Sequence, residues 1–172
     1  QKTAYEISLG LVGSEMCIRD RVRAIGELDE LNSWLGLLSS QDELSQHKEY
    51  LQNIQNRIFD IGGILTTKSE VPLEKKYLLN LEKETNNLNH KLPDLDNFIL
   101  PGGSKESSFI HIARTVCRRA ERSLIEANGS QKIEKSCLIY INRLSDFLFV
   151  LARKVNLDSG NEELLWKQHR LR

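Results

Sequence analysis

Residues 98–122 read FILPGGSKESSFIHIARTVCRRAER, and the order of residue types in this stretch decides the fold. Phe98, Ile99 and Leu100 run into Pro101, Gly102 and Gly103, so any regular element stops there and the chain turns. Ser104 stands where it can cap a new helix. Beyond it, Ile110, Ala113, Val116, Cys117, Ala120 and Leu124 recur at spacings of three and four, an apolar stripe fit for a core. A neighbouring stripe of Arg114, Arg118, Glu121, Arg122 and Ile125 sets cations at the edge of packed structure, where water is scarce and guanidinium bonds to phosphate gain strength. This pattern predicts an anion site on a helix. A solvated face, with each arginine paired to Asp or Glu, explains the helix taken alone equally well.

Outward from this stretch the apolar spacing stays helical. It predicts helices over 21–46, 48–67, 73–91, 104–128 and 131–157, with a short one near 161–169. The three prolines, at 72, 93 and 101, fall in the connections, and Asn128-Gly129 is placed to end the fourth long helix with a residue of positive φ. No β-alternation, internal repeat or low-complexity tract interrupts the pattern. The fold class is therefore all-α, a five-helix bundle. Its 89–103 connection is long for a bundle, and connections of that length tend to carry function.

Bulk properties narrow the function. A chain of 172 residues supports one sizeable core but is short for two domains. The 24 basic and 24 acidic side chains balance, so there is no general attraction to nucleic acid or anionic lipid, and the arginine stripe is a local feature. No apolar run approaches the roughly 20 residues of a bilayer-crossing helix. Cys17, Cys117 and Cys137 are odd in number and widely spaced, which argues against a disulfide framework or a zinc site and for a reducing, cytoplasmic setting. None of His47, His90, His111 and His169 has Glu three residues before it, so the Glu-x-x-His pairs of di-iron bundles are missing and no metal ligand set is expected. A Walker-type Gly-Lys-Ser/Thr loop is missing too.

Several segments, in order, resemble the PduO-type corrinoid (cob(I)alamin) adenosyltransferases: VRAIGELDELNSWLG at 22–36, LQNIQNRIFDIGGILTT at 51–67, FILPGGS at 98–104, HIARTVCRRAER at 111–122 and YINRLSDFLFVLARKVN at 140–156. RTVCRRAER followed some twenty residues later by NRLSDFLF is highly specific in combination. The resemblance implies transfer of the 5′-deoxyadenosyl group of ATP to the cobalt of cob(I)alamin, with release of triphosphate. It implies ATP, Mg2+ and cobalamin, the last as substrate. It also implies a homotrimer with active sites between subunits, and a corrinoid reductase and an adenosylcobalamin-dependent enzyme as partners.

Residue by residue, the resemblance assigns Arg118, Arg119, Glu121 and Arg122 to the family's ATP-binding RRAER segment, and Asn142 to its nucleotide-contacting asparagine. Asp29 matches an aspartate that pairs with a neighbouring subunit's arginine, and that arginine corresponds to Arg114. Phe98 matches the aromatic that packs beside the corrinoid and helps remove its lower axial ligand. Each residue also has a plainer reading. Asp29 is a carboxylate one turn into a helix, Asn142 a bundle-crossing amide and Phe98 a core aromatic.

Residues 1–20, QKTAYEISLGLVGSEMCIRD, depart from the family, whose N-terminus carries a TKTGDxGxT-like loop that wraps triphosphate. They read as an anomalous segment, similar to translated sequencing-adapter fragment, ahead of an adenosyltransferase-like bundle at 21–172. Lack of that loop keeps open a second function, a catalytically impaired helical protein that binds or delivers corrinoid. A helical scaffold with no corrinoid site is the third.

Overall fold

The computed structural model describes the backbone at residues 4–67, 71–130 and 132–167, and side chains at 18–67, 71–129 and 132–167. The three-and-four spacing folds into five helices: α1 at Ala4–Ser39, α2 at Lys48–Thr67, α3 at Lys75–Asn89, α4 at Lys105–Ser130 and α5 at Lys135–Asp158. α4 packs between α1 and α5, α2 closes on the other side of α1, and α3 lies against α5. Leu28, Leu31, Leu35 and Leu38 of α1 share one buried core with the apolar stripe of α4, and Ile141, Leu144, Phe147, Leu148 and Leu151 of α5 complete it. Burying side chains of this size is worth about 1.5–3 kcal/mol each, which outweighs weak local propensities. Cys117 and Cys137 are free and buried, and burial raises both thiols, Cys137 to about 11.

Besides shifts of one to four residues at the ends of α3 and α5 and at the start of α4, four differences separate the structure from the sequence expectation. α1 is helical back to Ala4 rather than from 21, and it ends at Ser39 rather than at 46. Near that end the Ser39 hydroxyl donates to Gly36 O, and the Ser40 hydroxyl and Gln41 side chain both donate to Leu37 O. These polar side chains satisfy the last carbonyls and let Gln41 extend, after which Asp42–His47 form a 3-10 turn anchored by buried Leu44. α4 runs through Asn128-Gly129 to Ser130, and no positive φ occurs at Gly129. The Asn128 side chain makes the stop instead, its Oδ1 accepting from Ile133 N at 2.7 Å.

The fourth difference is the short helix near 161–169, of which residues 168 and 169 lie outside the described chain. The described part is extended. α5 closes with Gly160 at φ 73°, and the following strap pairs antiparallel with the 98–100 loop through Ile99 and Leu165. Leu100 N donates to Leu164 O and Trp166 N to Phe98 O, both at 2.7 Å. A helix of two turns is marginal in water, and a free loop edge offers the same backbone groups better partners.

Ser104 caps α4 as its position predicts, its Oγ accepting from Ser107 N at 3.1 Å. The turn before it depends on glycine. Gly103 has φ 97°, and a Cβ there would stand 1.8 Å from Asn156 Oδ1. Gly103→Ala is therefore expected to cost about 2 kcal/mol, from left-handed backbone strain together with displacement of Asn156. Thermal unfolding measures this, and an unchanged melting temperature would contradict the packing described.

Candidate anion site between the fourth and fifth helices

α3, α4 and α5 frame an open cleft of about 650 Å3, lined by Asn86, Arg114, Arg118, Asp146, Phe149 and Arg153 among others. Arg114 and Arg118 are one turn apart on α4, so the helical repeat alone turns both toward it. Arg114 is half-buried, its Nε is out of water with no hydrogen-bond partner, and among the described residues it pairs with no carboxylate. Burial and the neighbouring Arg118 cation both lower its pKa. Two guanidinium groups held together at a partly desolvated edge, one with an unmet donor, favour an anion between them.

Glu121 sets the neighbouring geometry. It is buried, it pairs with Arg118 Nη1, and its other oxygen accepts from Asn142 Nδ2 at 2.9 Å. One carboxylate thus orients both Arg118 on α4 and Asn142 on α5. Arg118 keeps its remaining N–H groups for other acceptors, with 45% of its side chain exposed. Asn142 bridges the two helices, and its Oδ1 accepts from Arg143 at 3.2 Å.

The other expected residues lie elsewhere. Arg119 faces α1 and is paired with Glu27 and Glu30. Arg122 is exposed on α4. Asp29 is exposed on α1, and its carboxylate has no partner among the described residues. Phe98 is 75% exposed on the long connection, its ring edge-on to Trp166 at 6.1 Å. One copy of the chain therefore brings together Arg114, Arg118, Glu121 and Asn142, and leaves Asp29, Arg119, Arg122 and Phe98 outside that group. Sequence reading missed Asn86, Asp146, Phe149 and Arg153 as lining residues. Asp146 and Phe149 lie within the NRLSDFLF motif, which could have flagged them, whereas Asn86 sits on a polar face of α3 that looks like any solvated one.

His111 lies one turn before Arg114, buried, with Nδ1 unpartnered and its ring edge-on to Phe149 at 6.3 Å. Burial first, then the Arg114 cation, lower its pKa from 6.5 to about 4, against a smaller opposing pull from Glu163. The folded state thus holds the imidazole neutral where the unfolded chain would protonate it, so stability falls as pH drops from 6.5 toward 4. Denaturant midpoints across that range should decline, and His111→Phe should flatten the decline. An equal slope in both proteins would place the titrating group elsewhere.

Among the described residues, no group of three or more His, Cys, Asp or Glu side chains could hold a metal ion. No described helix is long and apolar enough to cross a membrane.

The chain is a helical bundle whose cleft, beside a motif-bearing fifth helix, is lined by Arg114, Arg118 and Arg153. The family model for cobalamin adenosyltransferase matches residues 18–155. The chain belongs to that family. It is 42% identical over 151 residues to the cobalamin adenosyltransferase of Cupriavidus metallidurans, covering 87% of this chain and 82% of that protein. Its fold is similar, with TM-score 0.80 and 35% identity, to an arginine-to-lysine variant of a PduO-type ATP:co(I)rrinoid adenosyltransferase from Lactobacillus reuteri complexed with ATP, covering 86% of this chain and 87% of that one. A phenylalanine-to-alanine variant of the Lactobacillus reuteri PduO-type enzyme, complexed with cobalamin and ATP, matches with TM-score 0.78 and 34% identity over 87% of each chain.

Proposed function

We propose that the α4–α5 cleft holds the phosphate chain of ATP in this PduO-type corrinoid adenosyltransferase. The enzyme moves the 5′-deoxyadenosyl group of ATP onto the cobalt of cob(I)alamin. The observation that carries the site is Arg118, which Glu121 holds at the half-exposed edge of the cleft beside the Arg114 cation, with N–H groups left for another acceptor. As the reduced cobalt attacks the 5′ carbon, the carbon–oxygen bond breaks and charge builds on the departing triphosphate. Guanidinium groups already fixed there by Glu121 and the helix stabilise that charge without reorganising. Arg122 reaches the outer phosphates, and Asn142 orients the nucleotide. Glu121 acts as the brace for Arg118 and Asn142, since a bare carboxylate against phosphate would repel it. Arg119 contributes by holding α4 to α1 through Glu27 and Glu30.

Among the described residues of one copy, the Asp29 carboxylate and the Arg114 Nε have no partner, and the two groups complement one another across copies. In this reading, Asp29 of one subunit meets Arg114 of the next, in a homotrimer whose sites are complete only at the interfaces. Light scattering should give three copies for the wild type, and Asp29→Arg should dissociate it. A monomeric, active wild type would end this part of the reading.

The described side chains offer no cage for Mg2+, so the ion arrives as the nucleotide's counter-ion and no step here is assigned to it. A reductase and an adenosylcobalamin-dependent enzyme are the partners on either side of the reaction, and the cytoplasm is its compartment. Residues 1–20 stand outside the adenosyltransferase-like bundle in this reading, and residues 21–172 carry it.

An anaerobic assay with ATP and pre-reduced cobalamin tests the function on this chain and on one given a family-type N-terminus. Adenosylcobalamin formation is expected in both. Corrinoid binding with no product and no heat of ATP binding would instead favour the delivery protein.

A further inference from the structure

We propose that Arg153 and Asn156, on the last turns of α5, are positioning residues for adenosylation, acting through Glu163 and the 161–166 strap to fix where Phe98 stands. This rests on the reading that Phe98 meets the corrinoid. The ring of Phe98 is largely in solvent, so core packing does not place it. Its neighbours do. Trp166 N donates to Phe98 O and Leu100 N to Leu164 O, each at 2.7 Å, while Asn97 Nδ2 donates to Trp166 O at 3.2 Å. The strap is thus a splint along the Phe98 loop.

The splint is itself held by two buried polar side chains of α5. Arg153 is 4% exposed, and its Nε and Nη2 donate to Glu163 at 2.6 and 3.1 Å. The same Nη2 donates to Pro93 O, on the connection, at 2.9 Å. Asn156 is 3% exposed, its Oδ1 accepts from Ser104 N at 2.9 Å, and its Nδ2 faces Asn161 O at 3.2 Å and Glu162 O at 3.4 Å. Each residue therefore grips the Phe98 connection with one bond and the strap with two. A two-bond guanidinium–carboxylate fork also fixes orientation, which a single contact would not.

Arg153 also lines the cleft that holds Arg114 and Arg118.

The test compares full-length Glu163→Gln, Trp166→Ala and Phe98→Ala, starting once from cob(II)alamin with a reductant and once from pre-reduced cob(I)alamin. Both latch variants should lose about tenfold or more from cob(II)alamin and less than about twofold from cob(I)alamin, with the KM for ATP unchanged. Amide hydrogen exchange at Leu100 and Trp166 should quicken in Glu163→Gln, and adding Glu163→Gln to Phe98→Ala should cause no further loss. Trp166→Ala leaves the buried pair and the main-chain bonds intact and removes the ring that stands edge-on to Phe98, so it reads that side-chain part of the splint even where Glu163→Gln folds poorly. Equal losses from both corrinoid states, or losses that add to those of Phe98→Ala, would overturn the latch. If Phe98→Ala itself shows no preference between the two starting states, the reading of Phe98 fails and the latch falls with it.

Discussion

Arg118→Ala is expected to lower the adenosylation rate about a hundredfold while leaving the fold intact, because one fixed donor to developing charge is worth on the order of 3 kcal/mol. The side chain is 45% exposed, and Glu121, its ion-pair partner among the described residues, keeps its bond from Asn142, so the bundle should stay folded without it. The effect should fall mainly on kcat, since charge on the triphosphate grows as the carbon–oxygen bond breaks. Arg118→Lys should recover little, because an ammonium cannot bond two phosphate oxygens in the plane of a fork. A rate within about twofold of wild type would remove Arg118 from the mechanism. Circular dichroism of the variant separates this from misfolding.

Phe98→Ala should give the second large effect, and its signature is a split between two assays. From cob(II)alamin the rate should fall more than about tenfold on the proposed reading that Phe98 stands beside the macrocycle, where an aromatic wall would displace the lower axial ligand and bring reduction within reach. From pre-reduced cob(I)alamin the loss should be small, because that barrier has already been crossed. The ring is 75% exposed, and its aromatic neighbour among the described residues is Trp166, so no loss of core packing should mimic this result. Equal losses in both assays would mean that Phe98 only shapes the pocket.

The bundle itself was legible because burial at three-and-four spacing leaves a repeating trace. Ile110, Ala113, Val116, Cys117, Ala120 and Leu124 are all buried, as their spacing predicts. The helix ends were less legible. Ser39, Ser40 and Asn128 end or close helices with side-chain bonds that compete with the backbone, and such bonds carry no periodicity. The 161–167 strap was misread because Leu164, Leu165 and Trp166 fit an amphipathic turn as well as a strand edge, and only the distant 98–100 loop decides between them.

The arginines were visible on α4, but not their allegiances. Arg118 and Arg119 are adjacent in sequence, yet one turns to Glu121 and the other to Glu27 and Glu30 on α1, because a step of one residue turns about 100° around the helix. The competing reading of solvated, paired cations therefore holds for Arg119. It does not hold for Arg114, whose Nε is buried and unpartnered.

A structure of this chain with ATP tests the central claim most directly, since everything turns on where the polyphosphate lies. The prediction is that phosphate oxygens stand about 2.7–2.9 Å from guanidinium nitrogens of Arg114, Arg118 or Arg122, with Glu121 still bracing Arg118. A phosphate chain bound away from α4, with Arg118 spent wholly on Glu121, would contradict the account.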